Sequence, residues 1–451
     1  MKRIDKGEKS MLKKQILAIA CAALCAVPMS ACTLFAKSKL LASPAKAEQL
    51  DWKEHREESF LNFKAKTNAF AAKFTSATYA QTQKKDNFTV SPVSVFMALS
   101  MASACADGET KTELLSALGV TQNELTENYA KLYNSLHVEY KSSNLVNAEK
   151  TTGMLQLSNS IWLDNSLTAK DSALSTLAND YYCYAHEVDF DGDNKNANDA
   201  IKNFIKKQTK GLIKRDFALN EETIFTLINT LYLKDIWNMY GDDLPFTDTA
   251  YNFKNSNGDV TSKRLLQGKY ITGRAYTTES YSAYFTTTYH GYKIKFMLPN
   301  DGYCVADIFT EENLKTFNAV TDFDAEDEVN LKRYHTRCFF PEYKASYNGD
   351  VQEILEQNFG IRTLFNEDTC NFTALTDNKP AYCSGVIHQT SLEVNKKGIE
   401  GAAITVIPGA GAPGPDEYEN VYVDFIVDRA FGFILTDSHD TVIFSGVVEN
   451  I

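Results

Sequence analysis

Val394-Asn395-Lys396-Lys397-Gly398-Ile399-Glu400-Gly401-Ala402-Ala403-Ile404-Thr405 is the stretch from which this fold is read. It prolongs a strand-like run (Ile387, then Thr390 to Val394), passes through Gly398 into small residues, and dissolves into Val-Ile-Pro-Gly-Ala-Gly-Ala-Pro-Gly-Pro-Asp over residues 406–416. The next apolar strand pattern runs from Val421 to Ile426. Hairpins join their strands by about two to five residues, and this connection is far longer. A long aperiodic connection inside a compact domain is usually functional or disordered, so the segment itself becomes the first candidate for the working part.

Outward from that stretch, the early chain shows helical periodicity at Phe60–Tyr79, Ser91–Ala104, Lys111–Leu118 and Glu124–Tyr133. Pro92 just inside a start marked by Ser91, and Gly119 after Leu118, are helix boundary signals. Strand patterns follow at Gly153–Leu163, Ile224–Leu233, Tyr292–Leu298, Val329–Lys344, His388–Asn395, Val421–Ile426 and Phe431–Val448. Asn257-Gly258 between apolar runs predicts a hairpin turn. Helices first and strands later, without βαβ alternation, give an α+β class.

With 451 residues and 44% hydrophobic content the chain can bury a large core, and nothing in its interior marks a linker. The net charge is −12, and residues 1–31 carry six Lys/Arg against two Asp/Glu, so the remainder holds about −16 (the total less this segment's +4). Nucleic-acid binding needs a basic stripe and is disfavoured. At the N-terminus, Lys13 and Lys14 precede an apolar run, Ile16–Pro28, too short to span a membrane and suited to a signal peptide. The run ends in Met29-Ser30-Ala31-Cys32, which resembles a lipoprotein cleavage box with Cys32 as the lipidated residue. Ala45-Lys46-Ala47, an alternative cleavage site, lies too far beyond the apolar run. The expected layout is a signal peptide over 1–31, a tether over 32–52 and one folded domain over 53–451. Beyond Cys21, Cys25 and Cys32, six cysteines remain without a CxxC pair, and free, mostly buried thiols are expected.

Motifs for chemistry are scarce. Gly409 to Gly414 matches GxGxxG, yet no helix pattern follows, so a dinucleotide loop is rejected. Asp189 to Asp193 resembles a calcium loop, but its glycine is misplaced and no closing Glu follows; a solvated acidic turn is expected there, and an exposed acidic loop over Asp322–Glu328. The seven histidines form no HExxH, and no GxSxG occurs, so no catalytic residue, metal or cofactor is assigned. His388, alone on a strand, reads as a satisfied core residue.

Asn87-Phe88-Thr89-Val90-Ser91-Pro92-Val93-Ser94-Val95, with Ala98-Leu99, Gly108-Glu109-Thr110 and Leu118-Gly119, resembles the opening helix signature of serpins. Leu157 to Ile161, Thr209 to Ile213, Leu227 to Lys234 with Trp237, Met297-Leu298-Pro299 and Glu393 to Thr405 follow in serpin order, over about residues 55–451. The resemblance implies three β-sheets, about nine helices and an exposed reactive-centre loop, here about 398–420, offered as bait to a protease. It implies a suicide-substrate inhibitor of serine proteases: the cut loop inserts into the main sheet before the acyl-enzyme is hydrolysed. The hinge would be Lys396, Gly398, Ile399, Glu400, Gly401, Ala402, Ala403 and Thr405. Side chains alternate along an inserted strand, so Ile399, Gly401, Ala403 and Thr405 would face inward and Glu400, Ala402 and Ile404 outward. A sheet-opening region would comprise Ser91, Ser94, Asn229, Trp237, Glu342 and His388.

Two departures from the family pattern stand out. Ile399 replaces the usual leading Thr or Ser, and Lys396 stands where a hinge Glu is typical, while Glu342 after Pro341 occupies the usual basic position. The expected reading is a charge pair reversed across the mouth of the sheet. Counting forward from Lys396 by the family's hinge length reaches Ala412, before Pro413, whereas counting back from Asp428-Arg429-Ala430-Phe431 reaches Glu419. The forward count is adopted, with the cut moved to Ala410-Gly411 to avoid the proline. Small flanking residues and no Lys or Arg between Gly398 and Asp428 imply elastase-like or subtilisin-like targets. The resemblance leaves open a serpin fold that no longer inhibits and serves as a surface binding protein. A monomeric, extracellular, cell-surface lipoprotein is expected, touching the membrane only through its lipid.

Overall fold

The computed structural model describes residues 38–451 apart from 83–85, 143–149, 214–217, 239–241, 321–322, 324, 379–380 and 400–417. Among the described residues there are nine α-helices: α1 (Glu58–Gln81), α2 (Pro92–Cys105), α3 (Gly108–Leu118), α4 (Gln122–Ser135), α5 (Asp171–Asn179), α6 (Asn194–Gln208), α7 (Val305–Ile308), α8 (Glu311–Ala319) and α9 (Gln352–Phe359). Local sequence explains the first four. In α1, Phe60, Phe63, Thr67, Phe70, Phe74 and Thr78 recur at three- and four-residue spacing and form its buried stripe. Pro92 opens α2 where a missing N–H costs nothing. Gly119 stops α3 at φ 68°, and Thr121 with Glu124 forms a capping box on α4. The helix α6 carries its signal in Ala197, Ile201 and Ile205, buried at four-residue spacing.

The main sheet has eight strands: β1 (Lys39–Ala42), β2 (Val138–Ser142), β3 (Lys150–Asp164), β4 (Cys183–Val188), β5 (Phe225–Ile236), β6 (Tyr343–Asp350), β7 (Ile387–Asn395) and β8 (Gly398–Ile399). Their order is β1-β4-β3-β5-β8-β7-β6, with β2 pairing β3. A six-stranded second sheet is built around the antiparallel ladder of Tyr281–Thr287, Lys293–Pro299, Phe431–Thr436 and Val442–Val448, with Phe88–Val90 at its edge. A four-stranded third sheet joins Lys332–Phe340 to Glu419–Ile426 in parallel and to Leu266–Thr272 in antiparallel register. The predicted Asn257-Gly258 hairpin pairs Tyr251–Lys254 with Val260–Lys263, and Gly258 takes φ +89°.

Several sequence readings change. The Val329–Lys344 run is two strands, because Pro341 supplies no ladder N–H and the chain changes sheet there: residues 332–340 belong to the third sheet and 343–350 to the main one. Phe431–Val448 is a hairpin whose turn is tied by the Asp437 carboxylate, which accepts the backbone N–H groups of His439 and Thr441. The acidic run at 322–328 includes a short strand, Glu326–Asp327, paired with Lys332 and Arg333. Residues 38–52 are not a free tether: β1 extends the main sheet beside β4, and Leu41, Ala45 and Leu50 pack on the core. Apolar side chains placed at that strand gain more from burial than a solvated tether would. The six described cysteines are free; Cys105, Cys183, Cys338 and Cys383 are buried, Cys370 half-buried and Cys304 exposed. No helix among the described residues is long and apolar enough to cross a membrane.

Candidate functional site: the hinge and the mouth of the main sheet

At the end of β7 the chain makes a tight hairpin within the opening of the long connection, whose next strand, Glu419–Ile426, lies in the third sheet and forms no hairpin with β7. Lys396-Lys397 form a two-residue turn, and β8 doubles back along β7 with Val394 opposite Ile399 and Asn395 opposite Gly398. The other edge of β8 pairs with β5, Gly398 facing Ile236 and Ile399 facing Asp235. The start of the loop is thus already a strand between β5 and β7. Ile399 is fully buried there. Gly398 takes φ +147°, and a Cβ on it would lie 2.0 Å from the Asp235 carbonyl oxygen, so only glycine fits. Below β8, β5 and β7 share no ladder among the described strands; a single bridge, Phe225 to Cys383, joins the segments at the far end.

The residues around this mouth are tied to the hinge mainly through its backbone. Trp237, buried beyond the end of β5, donates its indole N–H to the Asn395 carbonyl at 2.8 Å. Glu342 Oε1 accepts the backbone N–H of Lys396 at 2.8 Å. The expected Glu342–Lys396 charge pair is corrected here: the Lys396 ammonium instead meets Asp243 at 2.7 Å, and that carboxylate holds it above the ordinary lysine range. Glu342 precedes β6 and reaches the Lys396 N–H of the turn, the Lys397 N–H going to Asn395 Oδ1, whereas the Lys396 side chain leaves in the direction of residues 242–244, where Leu244 N–H also donates to the Lys396 carbonyl. The ion pair across β6 and β7 is Lys344 with Glu393, at 2.8 Å. A cleft of about 690 Å³ opens at this mouth, bordered by Glu342, Lys344, Glu393, Lys396 and the C-terminal Ile451. It carries both signs of charge.

The other sequence-derived positions lie deeper. Ser91 and Ser94, both buried at the start of α2, share a hydroxyl contact of 2.9 Å. Ser91 donates its backbone N–H to His388 Nε2 at 3.1 Å, which joins the head of α2 to β7. Burial pushes the His388 imidazole down to about 3, so it is neutral and its Nε2 is an acceptor. Asn229 on β5 faces Asn159 on β3 and donates to its side-chain oxygen; Asn159 in turn donates to Tyr129 and to the Tyr181 carbonyl. Glu400, Gly401, Ala402, Ala403, Thr405, the bonds around Ala410, Gly411, Ala412 and Pro413, and Cys32 lie outside the described residues. Glu419, reached by the backward count, is laddered to Lys332 in the third sheet.

An eight-stranded main sheet with β8 seated between β5 and β7, a six-stranded and a four-stranded sheet beside it, a two-stranded hairpin and nine described helices define an α+β fold. The chain belongs to the serpin family: the family profile described as Serpin (serine protease inhibitor) matches residues 65–451. It is 26% identical over 382 residues to Iripin-1 of Ixodes ricinus, covering 81% of this chain and 90% of that one. Human neuroserpin is 25% identical over 386 residues, with 81% and 87% covered. Among solved structures, the thermophilic serpin tengpin in its native state superposes with a TM-score of 0.68 at 22% identity, over 92% of this chain and all of the other, and supports the fold.

Proposed function

We propose that this protein inhibits serine proteases as a suicide substrate. A protease that cuts within 400–417 is held as an acyl-enzyme while the freed segment follows Ile399 between β5 and β7. The observation that carries this reading is the seating of Gly398 and Ile399 between those strands, with no ladder among the described strands joining β5 to β7 directly beneath them. A strand inserted there gains hydrogen bonds along both edges, each contributing about 0.5–1.5 kcal/mol net. Summed over about ten residues, this drives the sheet from a kinetically trapped state to a more stable one.

Loop composition directs the reading to elastase-like and subtilisin-like enzymes, with the cut at Ala410-Gly411 or Ala412-Pro413. The basic, apolar and small-residue succession ending at Cys32 supports export and anchoring at the cell surface through a lipid on that cysteine. Incubation with pancreatic elastase and with subtilisin, followed by denaturing electrophoresis and mass spectrometry of the released C-terminal peptide, tests the assignment. An SDS-resistant complex and a peptide starting at Gly411 or Pro413 are expected. Cleavage without a complex and without a gain in thermal stability overturns the trapping mechanism, and a peptide starting after Tyr418 overturns the target class.

A further inference from the structure

Directly opposite Ile399 in the sheet stands a fully buried carboxylate that no serpin motif quoted above includes. Asp235 Oδ1 lies 2.5 Å from His290 Nδ1 and accepts the Ile236 N–H at 2.9 Å. Its Oδ2 accepts the Thr288 hydroxyl at 2.5 Å and the His290 N–H at 3.2 Å. The Tyr289 N–H donates to the Ile236 carbonyl at 2.7 Å, so the turn at 288–291 of the second sheet grips β5 through side chain and backbone together. His290 is itself fixed: Tyr140 stacks on its ring with centroids 4.0 Å apart, and Nε2 lies 3.3 Å from the Thr152 hydroxyl. The space for the pair is cut out of β3 by Gly153, where a Cβ would come 2.6 Å from His290 Nδ1 and 2.9 Å from Asp235 Oδ1.

Burying a carboxylate is costly even when it is fully bonded, and an apolar residue at this point would stabilise the sheet at least as well. What a satisfied polar network supplies instead is one defined geometry. Here the fixed object is the backbone of residues 235–236, the two positions that pair with β8 and whose carbonyl leaves room only for glycine at 398. We propose that Asp235, locked by His290 and Thr288, is a positioning residue for loop insertion, clamping the end of β5 to the second sheet so that the gap between β5 and β7 stays open to the incoming strand. The clamp deepens the trapping mechanism proposed above and rests on it for its biological use.

The test compares the full-length protein with Asp235→Asn, His290→Asn and His290→Leu. Asparagine can place an N–H near the position of His290 Nδ1, whereas leucine cannot; both remove the stacking on Tyr140 alike. Two readouts are taken beside the melting temperature: the stoichiometry of inhibition of pancreatic elastase and of subtilisin, and the rate at which a synthetic peptide of residues 400–410 anneals into the sheet. With His290→Leu and Asp235→Asn, peptide uptake is expected to slow several-fold and the stoichiometry to rise several-fold, with His290→Asn recovering much of both. Uptake and stoichiometry at wild-type values in His290→Leu overturn the clamp, as do equal changes in the two His290 variants that merely follow their melting temperatures. If the wild type takes up peptide but traps neither protease, the peptide rates still decide the clamp while the inhibitory reading fails for those enzymes.

Discussion

His388 Nε2 accepts the backbone N–H of Ser91 across 3.1 Å, so a neutral imidazole on β7 ties the head of α2 to the main sheet. The ring is buried and its pKa is pushed down to about 3 from an ordinary 6.5. A histidine whose folded value is depressed stabilises the fold fully above its unfolded value, and that contribution is lost as pH falls through 6.5 toward 3. Each pH unit within the window costs up to about 1.4 kcal/mol for one such group. His186 and His55, pushed down by burial to about 4, add to the same slope. The melting temperature is therefore expected to fall from pH 7 to pH 5. His388→Leu should flatten part of that slope and cost about 1–3 kcal/mol at pH 7, since the Ser91 N–H loses its acceptor. Thermal scans across that range check it; an unchanged slope would mean the imidazole does not titrate as its burial demands.

Gly398 cannot be replaced while β8 stays in place. Its φ of +147° is strained for any L side chain by about 1–3 kcal/mol, before the contact with the Asp235 carbonyl is counted. Gly398→Val is expected to expel residues 398–399 from the gap, lower the urea midpoint and speed amide exchange from Val394 to Ile399. Wild-type exchange in this segment would show that the strand is not held as described.

How much of this was legible in the chain depends on how local each feature is. Helices α1 to α4 announce themselves by spacing and boundary residues, and the Asn257-Gly258 hairpin by its turn chemistry. The helix α6 is harder to read beside its acidic turn, although Ala197, Ile201 and Ile205 carry the helical period. The hairpin at Lys396-Lys397 is hidden because the described part of its returning strand, Gly398–Ile399, is too short for a period and is held by β5, far away in sequence. Pairings such as Asp235 with His290 and Lys396 with Asp243 have no local signature at all: the topology alone brings them together. Gly153 was the one visible trace of the former, and it lay within a strand pattern where a glycine signals close approach.

The corrected hinge electrostatics make a sharp prediction. Lys396 and Asp243 should show coupling in a double-mutant cycle of charge reversals, weakened by added salt because the pair is exposed. Lys396 and Glu342 should give nearly additive effects, since Glu342 bonds the backbone N–H that any residue at 396 would supply. Glu342→Ala alone should cost about 1 kcal/mol. Urea midpoints of the six single and double variants decide between the two partners, and strong coupling confined to Glu342 would restore a reversed pair at the mouth of the sheet.

The parity of the inserting segment gives the most direct check of the mechanism. Ile399 faces inward and is fully buried, so if the cut segment enters as an extended strand, alternation would carry Gly401 and Ala403 to the inner face and Ala402 to the outer one. Ala403→Arg would carry an unpaired guanidinium into the sheet interior, which is prohibitive unless insertion stops short of it. That variant is expected to be cleaved as an ordinary substrate, with no SDS-resistant complex and little of the gain in thermal stability expected of the cleaved wild type. Ala402→Arg presents the same charge to solvent and should go on trapping. Complex formation measured side by side for the two variants discriminates cleanly: equal trapping by both would mean that the segment does not enter as an alternating strand, and equal failure would point to recognition of the uncut loop rather than to insertion as the step that arginine disturbs.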